Sequence, residues 1–139
     1  MRFLDVVLGF AILLSAGCSK GKYPVSGSVQ LEGGAPLKSG RLQLHPKEGA
    51  GEKGAVSSVG EIKDGKFVVG TSTANDGAFP GVYRVTVDPP IYNPDPNRPK
   101  PKDFPEFDKK YNRPKETPLE FTVENKANEW PTIVLKKKL

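Results

Sequence analysis

Apolar and polar residues alternate in short runs along most of the chain, and turn residues cut the runs apart. From Tyr23 onward, Val25, Gly27, Val29 and Leu31 fall on one face while Ser26, Ser28, Gln30 and Glu32 fall on the other. That period of two is the signature of a half-buried strand. Gly33-Gly34-Ala35-Pro36 turns the chain, and Leu42 and Leu44 then alternate with Arg41, Gln43 and His45 in a second strand that Pro46 ends. Lys47–Gly54 is a polar, glycine-rich loop, and a third strand covers Val56–Ile62. Lys63-Asp64-Gly65-Lys66 carries the Asp-Gly pair of a tight hairpin, from which Phe67 and Val69 return as strand four. After the polar loop Thr71–Phe79, with Asn75-Asp76-Gly77 as its turn, Val82–Val87 sets Tyr83, Val85 and Val87 on one face. Leu119, Phe121 and Val123 form a sixth strand and Thr132–Leu135 a seventh. No stretch sustains a 3.6-residue period. Seven short strands separated by turn chemistry predict an all-β domain, a seven-stranded antiparallel β-sandwich.

The segment Asp88–Pro118 differs in kind. It holds nine of the 14 prolines and nearly balanced charge. Proline lacks an amide hydrogen and biases its predecessor to extended geometry, which excludes a central strand or a long helix. One helical turn fits at Pro105–Lys110. A connection of this length is characteristically functional or disordered. It also contains Tyr92, Phe104, Phe107 and Tyr111. Two readings of these rings stand: they fold the loop back over an open end of the sheet, or they form a ligand-binding row for carbohydrate or peptide. Trp130, before Pro131, is expected to plug the end of the sandwich.

The first residues change where this domain belongs. Arg2 precedes an apolar stretch, Val6–Ala16, too short for the roughly 20 residues of a bilayer-spanning helix. It fits a cleaved export signal. Ala16-Gly17-Cys18 resembles the lipobox of bacterial lipoproteins, although Ser15 stands where Leu is usual. The resemblance implies cleavage before Cys18 and lipidation (palmitate among the acyl chains) of its thiol. The other reading is ordinary secretory cleavage after Gly17. Ser19 follows the cysteine instead of Asp, which in bacterial lipoproteins implies passage to the outer membrane, facing the periplasm or the surface. Residues 1–17 are thus a signal peptide, 18–22 a polar tether and 23–139 the folded domain. The one cysteine allows no internal disulfide, and a net charge of +5 bears on solubility and weak attraction to anionic surfaces.

Tyr23-Pro24-Val25-Ser26-Gly27-Ser28-Val29, followed by Gly34-Ala35-Pro36-Leu37, resembles the opening of carboxypeptidase regulatory-like domains. Gly77-Ala78-Phe79-Pro80-Gly81-Val82-Tyr83 resembles the stretch in which Pro-Gly leads into their Tyr-bearing strand. Lys110-Tyr111-Asn112 and the closing strands are similar to small bacterial lipoproteins of the same kind. The resemblance implies a transthyretin-like (prealbumin-like) Greek-key sandwich and a secreted or anchored module without catalysis. Such motifs specify a fold and not an activity.

The residues themselves offer little chemistry. A zinc peptidase needs several His and Glu ligands, and His45 is the single histidine. The transthyretin-like hydrolases resemble a site of several histidines with a Tyr-Arg-Gly-Ser tail, and this chain ends Leu135-Lys136-Lys137-Lys138-Leu139. No cofactor or metal is expected. Asp64, Asn75 and Asp76 read as turn formers. Lys109-Lys110 and Lys136-Lys137-Lys138 lack the broad footprint of a nucleic-acid binder and read as solvated charge, or as contacts to anionic headgroups or cell-wall polymer. The expected partners are a membrane, through a lipid anchor at Cys18, and a cell-wall polymer, polysaccharide or neighbouring envelope protein.

Overall fold

The computed structural model describes residues 21–47 and 56–139. Cys18, the signal peptide and most of the loop Lys47–Gly54 lie outside the described residues. The described residues are all-β: β1 Val25–Leu31, β2 Ser39–Pro46, β3 Ser58–Lys63, β4 Lys66–Gly70, β5 Gly81–Asp88, β6 Glu120–Val123, β7 Asn128–Glu129 and β8 Ile133–Leu135, with one 3-10 turn among them at Lys109–Asn112. The strands form a curled mixed sheet in the order β6-β5-β2-β3-β4-β1-β7, with β8 also paired to β1.

Local chemistry accounts for the antiparallel part. Asp64 (φ 50°) and Gly65 (φ 77°) both occupy the left-handed region, as a two-residue type I′ hairpin requires, and Lys63 pairs with Lys66 across it. The register Leu42↔Val87 and Leu44↔Val85 keeps the aliphatic residues of β2 and β5 on one face. They join Val25, Val29, Ile62, Phe67, Val69, Ile133 and Leu135 in one buried cluster, with an energetic return of roughly 25 cal/mol per Å² of apolar surface removed from water. Leu37, just beyond the first turn, is fully buried in the same cluster.

The expectation of an all-antiparallel, seven-stranded arrangement needs correction at the C-terminal end. β7 pairs with β1 in parallel, Val25↔Asn128, and so does β8, Val29↔Ile133 and Leu31↔Leu135. Alternation determines which face a strand buries, not its direction. Direction is set here by Asn128, whose amide nitrogen donates to the carbonyls of Lys126 at 2.7 Å and Pro24 at 3.3 Å. Its carbonyl accepts from the Glu124 amide at 2.9 Å. The turn after β6 is thereby tied to the start of β1, and the chain runs along β1 from there. Pro131, with no amide hydrogen, separates β7 from β8.

Trp130 lies 4.6 Å (centroid to centroid) from Phe121 in a stacked arrangement and 6.2 Å from the tilted ring of Phe67. Its indole Nε1 is buried with no hydrogen-bond partner among the described residues. Tyr83 is fully buried, and its hydroxyl donates to the Phe79 carbonyl at 2.7 Å.

Candidate functional site

Among the described residues, polar groups converge at the point where the chain enters β1, at the opposite end, where β8 runs out, and around His45 on the outer face of β2.

At the first, Lys22 donates to the Asp76 carboxylate and, at 3.0 Å, to Ser72 Oγ. Asp76 also accepts the amides of Thr71 at 2.6 Å and of Ser72 and Thr73 at 3.2 Å each. The Lys22 ammonium first, then these amides, hold the Asp76 carboxyl well below the usual carboxylate range. Tyr23 exchanges amide–carbonyl bonds with Ala78 at 2.8 and 3.0 Å. A side chain at Gly77 (φ 86°) would strike the Tyr23 carbonyl, so close approach requires glycine here. The tether expected over residues 18–22 is therefore docked from Lys22 onward. Asp64 and Asn75 (φ 62°) are left-handed turn residues, and Asp76 is engaged as described.

At the opposite end, the proline-rich segment folds in two parts. Asp95 closes a turn by accepting from Asn97 N at 2.9 Å, and the Tyr92 hydroxyl donates to the Arg98 carbonyl at 3.1 Å. Tyr92 meets Phe104 edge-on at 5.8 Å, and Lys100 Nζ lies 4.6 Å from the Phe104 ring centroid. The second part docks on the sheet. Asp108 caps the 3-10 turn by accepting from Lys110 N at 2.9 Å, and its own amide donates to the Lys136 carbonyl at 2.9 Å. Tyr111 is 4 % exposed, within the core, and its hydroxyl accepts from Lys136 N at 3.4 Å. Phe107 packs edge-on against Tyr111 at 6.3 Å. Thr117 Oγ1 donates to the Val85 carbonyl at 2.7 Å.

The structure brings Tyr92, Phe104, Phe107 and Tyr111, expected as the rings of a ligand-binding row, together as two pairs and not as one group. The rings separate into a half-buried outer pair, Tyr92–Phe104, and an inner pair in which Tyr111 is core and Phe107 its cover. Burial of the Tyr111 ring where the 3-10 turn packs on β5 outweighs its display. The helical turn expected at Pro105–Lys110 sits later, at Lys109–Asn112, because Asp108 supplies the cap.

What the docking creates is a groove of about 840 Å³ beneath the 3-10 turn. Lys109 and Lys110 line it from one segment and Lys137 and Lys138 from another, with Phe107, Pro105 and Pro89 as apolar wall. Lys100 and Arg113, also at the groove, are paired with Glu106 at 3.1 Å and Glu116 at 2.8 Å. Sequence reading treats the two lysine clusters as separate solvated charge. The parallel placement of β8 and the bonds of Lys136 to Asp108 and Tyr111 join them, and no local pattern signals these.

His45 lies on the face of β2 away from the core. Its Nε2 is 2.9 Å from Thr86 Oγ1, and Thr86 is itself buried. Burial lowers the imidazole pKa, with the nearby Asp88 carboxylate opposing. Burial raises the Asp88 carboxyl, with Arg41 and His45 opposing. Among the described residues no three His, Cys, Asp or Glu side chains gather as a metal would need. No family model, curated protein or solved structure matches this chain.

Proposed function

We propose that this chain is a lipid-anchored, non-catalytic module of the bacterial cell envelope with a structural or adhesive role. Cleavage before Cys18 and acylation of its thiol hold it to the membrane, the outer membrane by the identity of Ser19. The domain faces the periplasm or the surface, and its proline-rich end meets a surface polymer or a neighbouring envelope protein. Several acyl chains on one cysteine make a firm anchor, where a single chain is marginal.

The observation that carries this reading is the polarity of β1. Its first residue follows the clamped Lys22 and Tyr23, and its last, Leu31, lies beside Leu135, from which the lysines of the groove continue. The seven residues of β1 span about 20 Å. An anchor at one end and a contact surface at the other suit a module that presents something away from its membrane.

For the finer fold we propose the transthyretin-like sandwich of carboxypeptidase regulatory-like domains, with β6-β5-β2-β3 as one layer and β4-β1-β8 as the other. In support, both groups of strands feed one hydrophobic cluster, and the residues that carry the resemblance open β1 and β5. The Tyr83 hydroxyl reaching back to Phe79 is the kind of tyrosine corner that pins strand crossings in sandwiches.

Intact-mass measurement of protein extracted from native membranes tests the anchor. A mass for Cys18–Leu139 plus acyl chains is expected, with Cys18→Ser moving the protein to the soluble fraction. An uncut, unmodified chain starting at Met1 contradicts it.

A further inference from the structure

We propose that the groove beneath the 3-10 turn is a binding site for an anionic polysaccharide, its carboxylates held by Lys109, Lys110, Lys137 and Lys138 and its sugar faces resting on Phe107 and Pro105. The inference deepens the envelope reading and rests on it for the direction in which the groove faces.

The first argument is charge. Among the described residues none of these four lysines makes a salt bridge, while Lys100 and Arg113 beside them are already neutralised by Glu106 and Glu116. Asp108, the one further acid lining the groove, accepts from Lys110 N, and Lys110 Nζ lies 5.3 Å from the Tyr111 ring centroid. One carboxylate against four ammonium groups leaves a net positive groove whose cations repel one another. The backbone holds them there regardless, through the Asp108 N to Lys136 O bond at 2.9 Å and the pairing of β8 with β1. A row of anionic groups at sugar spacing relieves that repulsion and is attracted to it.

Shape selects among polyanions. Phe107, Pro105 and Pro89 line the same groove as its cations, and apolar side chains suit the C–H faces of sugar rings. Single-stranded nucleic acid asks for free aromatic faces on which bases stack. Here Tyr111 is buried in the core and Tyr92 and Phe104 pack on each other, with Lys100 over the Phe104 ring. Phe107 alone therefore makes no row for successive bases, whereas one ring suffices for the face of a sugar. Headgroups of the anchoring membrane are disfavoured by position. The chain enters β1 at Lys22–Tyr23, whereas the groove lies beyond Leu31 and Leu135, about 20 Å up the strand.

The test is affinity of the full chain, purified in detergent, for polygalacturonate, with dextran, anionic phosphatidylglycerol vesicles and single-stranded DNA as competing arms. Polygalacturonate is expected to bind in 50 mM salt and dextran not at all. Lys109→Glu with Lys137→Glu is expected to weaken polygalacturonate binding about tenfold or more, from two attractions turned to repulsions. The fourfold Lys→Arg variant at the same sites keeps binding, and Lys63→Glu with Lys66→Glu, on the outer face of β3 and β4, changes it less than about twofold. Thermal unfolding of each variant separates misfolding from lost contact. Absence of polygalacturonate binding, equal loss in the β3–β4 variant, or tighter binding of vesicles or DNA overturns the proposal. Because the polymer is free in solution, this readout is independent of whether Cys18 is acylated.

Discussion

Replacing Tyr83 by Phe removes one oxygen from the centre of the domain and leaves the ring. Tyr83 is fully buried, and its hydroxyl makes a 2.7 Å bond to the Phe79 carbonyl that ties the loop before β5 to that strand. Loss of a neutral hydrogen bond costs about 0.5–1.5 kcal/mol, and a carbonyl left without its partner adds up to a further 1–3 kcal/mol where water is excluded. Since Phe79 itself is only half-buried, its carbonyl is partly resolvated, and about 1–2 kcal/mol is expected. With an unfolding entropy of about 2.1 cal/mol/K per residue, that lowers Tm by about 4–8 °C in a domain of this size. Tyr92→Phe is the matched control. Its hydroxyl bond to the Arg98 carbonyl is longer, 3.1 Å, and exposed, so a change within about 0.5 kcal/mol is expected. Calorimetry or thermal circular dichroism of both variants, with urea titration for ΔG, reads the difference. Equal Tm changes in the two, or a neutral Tyr83→Phe, would refute the assignment of Tyr83 as a buried corner.

His45 has a lowered pKa in the folded chain, so the native state binds fewer protons than the unfolded one as pH falls below its ordinary value of 6.5. Stability present above that value is lost on descent, and His45→Gln should flatten the urea-measured loss between pH 7 and 5. Asp76, held low by Lys22 and backbone amides, contributes stability present above its ordinary value of 3.8 and lost as pH falls further. Asp76→Asn and Lys22→Ala should both speed hydrogen exchange at the Tyr23 amide, and unchanged exchange would show that the clamp does not hold the chain's entrance to β1. Trp130→Ala should cost about 3–5 kcal/mol in urea unfolding. Trp130→Phe should fall within about 1 kcal/mol of the parent, since removing the unpartnered Nε1 offsets the lost ring volume.

The all-β class and most strands are legible because burial imposes a period of two that survives in the residues: Leu42/Leu44, Phe67/Val69, Tyr83/Val85/Val87. The hairpin at Asp64-Gly65 is legible because its backbone needs positive φ at both positions. Strand direction is not, since Ile133 and Leu135 would bury the same faces run either way along β1. β7 leaves no signal in the sequence for a related reason: two residues carry no alternation, and what fixes them is the four-way bonding of the Asn128 side chain. Tyr111 and Phe107 illustrate the limit for the site. Both lie in a proline-rich segment that excludes strands, yet the segment docks through Asp108, Thr117 and the Tyr111 ring, on β5 and on Lys136 just beyond β8. The groove lysines are separated by more than twenty residues, and only that docking makes them neighbours.

The proposed orientation, with the clamped end at Lys22 toward the membrane and the lysine groove away from it, is open to direct measurement. With Cys18 acylated, an introduced thiol is the one reactive cysteine, so Ala74→Cys (beside the clamp) and Lys138→Cys (at the groove) each take a single fluorophore. Energy transfer from these labels to an acceptor lipid, measured on the lipidated protein in vesicles, reports their heights directly. Strong transfer from position 74 and much weaker transfer from position 138 is the predicted result; equal transfer, or the reverse order, would contradict it.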